Sequence, residues 1–163
     1  MRNVGSTDPS VPQPRASSRL RRFVALPRGS QLAFLAALPL NPLFERVLHR
    51  RGTIPARQLA VRLGGRGRIH PSDPYDVHRA RRIGTGVLLA TRLAPADVVC
   101  LPRSLTLWTL LRRRGVDAQV LLGVDPTQEG LGAHAWVRVA GTDINEDPGH
   151  VAQLHAFDQP LLG

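Results

Sequence analysis

The chain has 163 residues, enough for one domain with a real core, and its 42% hydrophobic content is that of a globular protein. All 22 basic residues are arginine, against 12 acids, for a net charge of +10, so lysine is removed from any mechanism. The single cysteine excludes an intrachain disulfide and a cysteine-rich zinc site, and 4% aromatic residues are too few for the stacking platforms of nucleic-acid binders.

Residues 1–18, "MRNVGSTDPSVPQPRASS", are rich in Pro and Ser without periodicity and read as a disordered tail. Residues 19–99 form an Arg-rich helical region. It opens on "RLRRFVAL", a loose likeness to a twin-arginine export signal that Pro27 and Arg28 break off. The longest apolar run, Leu32 to Leu40, is too short to span a bilayer and is interrupted by Pro39, so no membrane span is expected. "GSQLAFLAALPL" has helical spacing. "NPLFERVLHRRG" reads as a second helix, with Asn41 as N-cap, Pro42 in the first turn and Gly52 past the end. "TIPARQLAVRLGG" repeats that punctuation with Thr53 and Gly64. After the loop "GRGRIHPSDP", a longer helix follows, capped by Ser72 or Asp73 with Pro74 in its first turn.

Beyond "APADVV" the character changes. "CLPRSLTLWTLLRRRG", residues 100–115, is a helix with Leu101, Leu105 and Trp108 along one face, Arg112 to Arg114 in its last turn and Gly115 as its stop. "DAQVLLGVD" reads as a short buried strand ending at a "DPTQEG" turn. "AHAWVRV" alternates before the turn "AGTD", so two antiparallel strands are expected. Helices followed by a helix and a small sheet give an α+β fold, with residues 100–163 as the chemical core and 19–163 as one folded unit.

Charge divides along the same line. Residues 1–99 hold 17 Arg against 5 acids, a balance of +12, and residues 100–163 hold 5 Arg against 7 acids, a balance of −2. The basic half reads first as a solvated arginine surface. With no helix-turn-helix pattern and no zinc-ligand set, no nucleic-acid partner is expected. The lone cysteine and the missing export signal fit a reducing cytoplasm.

Cys100 opens a helix, where unpaired N–H groups and the positive end of the dipole favour a thiolate nucleophile. Read alone, it is more often a small buried hydrophobe. His134 sits on a strand, rigid enough for a general base, though a lone strand histidine is commonly a satisfied core residue. A third group must orient the imidazole. Asp143, Asn145, Glu146 and Asp147 follow the turn. A strand returning past His134 favours Asp147 and Glu146 over Asp143, and Pro148 would end that strand. A metal site built from His134, His150 and His155 fits no standard ligand spacing, and neither metal nor cofactor is expected.

These residues together carry a resemblance. "CLPRSLTLWTLLRRRGVDAQVLLGV" followed by "AHAWVRVAGTDINEDP" resembles the transglutaminase-like cysteine proteases. More narrowly, it resembles the stand-alone leader peptidases of lasso-peptide biosynthesis, over roughly residues 25–157. The resemblance implies a transglutaminase- or papain-like core in which Cys100 is the nucleophile, His134 the base and Asp147 the orienting acid, with Glu146 and Asp143 as alternatives. It implies a precursor peptide as substrate and an ATP-dependent, asparagine-synthetase-like cyclase acting after cleavage. Because residues 1–99 show no opening run of strands, leader recognition is expected from a separate protein. Competing readings are another Cys-His-Asp acyl-transfer enzyme, such as a transglutaminase or amidase, and a non-enzymatic peptide-binding module.

Overall fold

The computed structural model describes residues 23–65, 69, 74–93, 100–126 and 132–163. The expected tail, most of the 65–74 loop with the proposed caps Ser72 and Asp73, the "APADVV" segment and most of the "DPTQEG" turn lie outside the described residues. In chain order come helices α1 (Arg28–Arg51), α2 (Thr53–Gly64), α3 (Pro74–Thr91) and α4 (Cys100–Arg112). Strands β1 (Gln119–Asp125), β2 (Gly132–Val139) and β3 (Thr142–Asp143), the short helix α5 (Pro148–Val151) and strand β4 (His155–Ala156) follow. The fold is α+β, with an antiparallel sheet of order β3-β2-β1-β4.

The two helices expected on either side of Asn41 are one. Helix α1 runs unbroken through Pro39 and Pro42. Each proline removes an N–H and leaves the carbonyl four residues back unpaired. Both rings lie on the exposed face of the helix, where water can take those carbonyls, so the helix continues. Asn41 is therefore no cap. It is buried, and its Nδ2 donates to Thr91 Oγ1 of α3 at 3.2 Å. Gly52, at φ 81°, turns the chain between α1 and α2, so Thr53 starts α2 without capping it.

Helices α1 and α3 meet almost backbone to backbone. A Cβ added at Gly86 would stand 2.2 Å from the Ser30 carbonyl oxygen and 2.9 Å from Ala33 Cβ. Ser30 Oγ, in the same contact, donates to the Arg82 carbonyl at 2.8 Å.

Helix α4 is not the one-faced helix its leucines suggest. It is buried all round from Ser104 to Leu111, because α1, α2 and α3 pack on one side of it and β2 on the other. Trp108 Nε1 donates to the Ala118 carbonyl at 2.8 Å, so the indole enters the core with its polar edge satisfied.

Strands β1 and β2 pair with Leu121 opposite Trp136 and Gly123 opposite His134. Alternation sends Val120, Val137 and Val139 into the core shared with the helices. The other face carries Leu121 and Trp136, covered by Leu154 and Val151 from the C-terminal segment. Gly123 sits in a close approach: a Cβ there would lie 3.1 Å from the Trp136 ring and 3.0 Å from the His155 carbonyl oxygen, so a larger residue would push these neighbours by a few tenths of an ångström. A two-residue turn, Ala140–Gly141 at φ 47° and 74°, joins β2 to β3. Among the described residues no helix is long and apolar enough to cross a membrane.

Candidate functional site

The site lies where the first turn of α4 meets β2. Cys100 is the first residue of α4 and is half-buried. Its Sγ stands 3.8 Å from the carbonyl oxygen of Ala133, the residue before His134. One turn further along α4, Ser104 is fully buried, and its Oγ donates to the Ala135 carbonyl at 2.9 Å. The same Oγ accepts from Asn145 Nδ2 at 3.0 Å, and Asn145 Oδ1 accepts from the Val137 N–H at 2.7 Å. Helix, strand and the segment after β3 are thus sewn together on either side of His134 by buried hydrogen bonds, each worth about 1 kcal/mol net and more if left half-made.

His134 Nε2 and Glu146 Oε2 are 2.5 Å apart. With an ionised carboxylate as acceptor, Nε2 carries the proton and Nδ1 keeps its lone pair. Arg103 adds a second donor to the same oxygen, from Nη2 at 3.2 Å. All three side chains are largely sheltered, at 23% exposure for His134, 16% for Glu146 and 17% for Arg103. Screening by water is weak for such a trio, so Glu146 sits between two positive or proton-donating partners that fix its orientation.

The acids that follow the hairpin turn are separated by function. Asp143 lies opposite Arg138 in the sheet and accepts from Trp136 Nε1 at 3.0 Å and from Arg138 Nε at 2.8 Å. The hydrogen bond to Asp143, with its charge, holds Arg138 above the ordinary guanidinium range despite the opposing effect of burial. Asp147 is the N-cap of α5, its Oδ1 accepting from the N–H groups of Gly149 at 2.8 Å and His150 at 3.3 Å. The structure therefore puts Glu146 on the imidazole, and gives the favoured Asp147 a cap. Pro148 does not end a strand. Strand β3 stops at Asp143, the chain bends through Asn145, and Pro148 starts a helix.

The sequence contains the signal that separates the two carboxylates. Asp followed by Pro and two further residues is a helix start, with Asp at the cap and Pro at the first helical position. Arg103 and Ser104 carry no sequence signal, because both stand inside an apolar helix where a contact across the fold leaves no local trace. Of the three histidines weighed as metal ligands, His155 lies on exposed β4, paired with Val124. His150 does reach the site, its ring edge-on to His134 with centroids 5.1 Å apart.

Two cavities border the site. One, of about 810 Å³, lies between α1 and the start of α4 and is lined by Glu45, Arg46, His49, Leu101 and Pro102. The other, of about 570 Å³, lies beside Glu146 and Asn145, with Gly84, Thr85 and Leu88 of α3 as its far wall.

A helix that starts on a cysteine, packed against an antiparallel sheet that presents a carboxylate-bound histidine, is the layout of a cysteine-protease or acyltransferase fold. The family model of the transglutaminase-like superfamily matches residues 45–158, and the chain belongs to that superfamily. The matched stretch takes in α2 and α3 as well as α4 and the sheet. No curated protein and no solved structure matches the chain.

Proposed function

We propose that the chain is a cysteine peptidase that removes the leader from a ribosomally made lasso-peptide precursor, freeing the core amine for macrolactam formation by a partner cyclase. The observation that carries the peptidase reading is the short His134–Glu146 contact beside a thiol anchored at Ala133. The narrower substrate rests on the resemblance borne by "CLPRSL", "LLRRRG" and "AHAWV". In this reading the triad is Cys100, His134 and Glu146, and Asp147 is structural.

The chemistry follows from the atoms. His134 Nδ1, the nitrogen left free by Glu146, accepts the Cys100 proton as the sulfur attacks the scissile carbonyl. The tetrahedral oxyanion is held by the backbone N–H of Cys100, which has no partner within its own helix. His134 returns the proton to the leaving amine, and water then hydrolyses the acyl-enzyme by the same route. Glu146 holds the Nε2–H tautomer throughout, and Arg103 holds Glu146. The groove between α1 and α4 reaches Leu101, the residue after the nucleophile, and is lined by Arg46 and His49, a path for an extended peptide in this reading. Leader recognition is assigned to a separate protein, which the basic helical half is suited to meet, together with the cyclase.

Incubating the chain with a precursor and its recognition partner, with product masses as the readout, tests this. Cleavage at the leader–core junction should fall at least about a thousandfold in Cys100→Ala. Equal cleavage by Cys100→Ala would overturn the peptidase reading. Full-rate cleavage without the partner at micromolar concentrations would overturn the separate-recognition reading.

A further inference from the structure

His150 has no place in the peptidase chemistry, yet it is half-buried against the base. Among the described residues its ring meets His134 edge-on, and neither of its nitrogens has a hydrogen-bond partner. One ligand atom from each of His134, Glu146 and His150 falls within 4.8 Å of the others. Within that cluster His134 Nε2 and Glu146 Oε2 stand 2.5 Å apart. A tetrahedral zinc site with bonds of about 2.0–2.1 Å has ligand–ligand edges of about 3.3 Å. That value lies between the 2.5 Å contact and the 4.8 Å bound on the cluster, so side-chain adjustment is what an ion would ask of the three groups.

The frame holding the three ligands is already rigid. His134 lies on the central strand β2, and Glu146 is one residue past Asn145, which is tied to both β2 and α4. His150 sits in α5, whose start is fixed by the Asp147 cap. Two imidazoles and a carboxylate, with one position left for water or a substrate group, suit borderline divalent ions such as zinc and disfavour magnesium and calcium, which demand oxygen. Arg103 reaches Glu146 Oε2 at 3.2 Å and the Asp147 N–H reaches Oε1 at 3.4 Å, so the carboxylate is held at both oxygens, and each keeps a further lone pair for an ion.

We propose that His134, Glu146 and His150 form a zinc-binding site that switches the peptidase off. The inhibitory consequence rests on the reading of His134 as the general base, while zinc binding itself does not. When zinc takes Nε2, the single proton of the neutral ring moves through solvent to Nδ1. The ring then has no lone pair to accept the Cys100 proton, and Glu146 is a ligand instead of an orienter. No bond to the substrate or the thiol is involved, and no proton is gained or lost overall.

The test uses the full chain as Cys100→Ala, so that no thiolate can bind the metal. Calorimetric titration with zinc chloride should give one site per chain at micromolar affinity or tighter, unaffected by millimolar magnesium. Cobalt(II) should give the intense visible band of a four-coordinate ion. His150→Ala should weaken zinc at least about a hundredfold, since losing a ligand costs no less than losing a residue behind one. His155→Ala, on the exposed strand, should change nothing. In the chain that keeps Cys100, zinc should stop precursor cleavage, and His150→Ala should remove that inhibition while leaving zinc-free cleavage intact. Absence of zinc binding, or equal binding by His150→Ala, would overturn the proposal. If zinc binds as described but the precursor is not cut, the site stands and the peptidase reading falls.

Discussion

The two walls of the site are built on opposite principles. The Cys100 wall is the first turn of α4, a helix buried all round from Ser104 to Leu111, so the thiol is positioned by apolar packing spread over the whole core. The His134 wall is positioned by a handful of polar contacts: Glu146 on the imidazole, Arg103 on Glu146, and Asn145 bridging Ser104 and Val137. The first arrangement loses stability when damaged, and its site is lost only with the fold. The second can lose its chemistry while the fold survives. Placement and stability are thus carried by different residues within one small region.

The sharpest test of that division is the Glu146 and Asp147 pair. Glu146→Gln should lower cleavage by about a thousand- to ten-thousandfold, because an amide does not hold the required imidazole tautomer. Its thermal unfolding should stay close to the parent's. Asp147→Ala should do the reverse, costing about 1 kcal/mol of stability through the lost cap while retaining most of the activity. If the two variants exchange phenotypes in cleavage and melting assays, Asp147 is the orienting acid and the assignment from geometry is wrong.

On the apolar wall, Leu105→Ala should cost about 2–5 kcal/mol in denaturant unfolding, the range for a leucine removed from a closed core. At temperatures where the variant remains folded, its kcat should stay within a few-fold of the parent's. A selective loss of kcat in a fully folded variant would show that α4 packing tunes the thiol directly. Ser104→Ala crosses the boundary between the walls, since one hydroxyl serves both β2 and Asn145. We expect about 1–3 kcal/mol of lost stability from the partners left unpaired, with a measurable drop in kcat as the Asn145 segment loosens. The smallest effect belongs to the hairpin turn. Ala140, at φ 47°, is held where glycine or asparagine is at ease, so Ala140→Gly should raise stability by a few tenths to about 1 kcal/mol. Activity should not change.

The same contrast explains what could be read from the chain. The Cys100 helix and the two main strands follow from local patterns: apolar spacing, alternation, and glycine at turns. The sequence divides helix α1 in two because Asn41-Pro42 carries the local marks of a helix start, whereas the structure keeps it whole. The deciding fact is which way the proline rings face, and only packing sets that. The long-range contacts of Arg103 and His150 left no mark, because a salt link across 43 positions and a ring contact across 16 have no periodicity. Short strand β4 was likewise unmarked, being two residues held by its pairing with Gly123 and Val124.

The close contact at Gly86 has a mechanical meaning for the site. Helix α3 presses α1 on one side with no clearance left, and on its other side Gly84, Thr85 and Leu88 form the far wall of the cavity beside Glu146. Gly86 acts as a shim of zero thickness. A single methyl there cannot be absorbed by the α1 backbone, so it would lever α3 toward the cavity and narrow the space facing Glu146. The bore of a cavity at the sheet is in this way gauged by a hydrogen atom on a helix surface that never faces it.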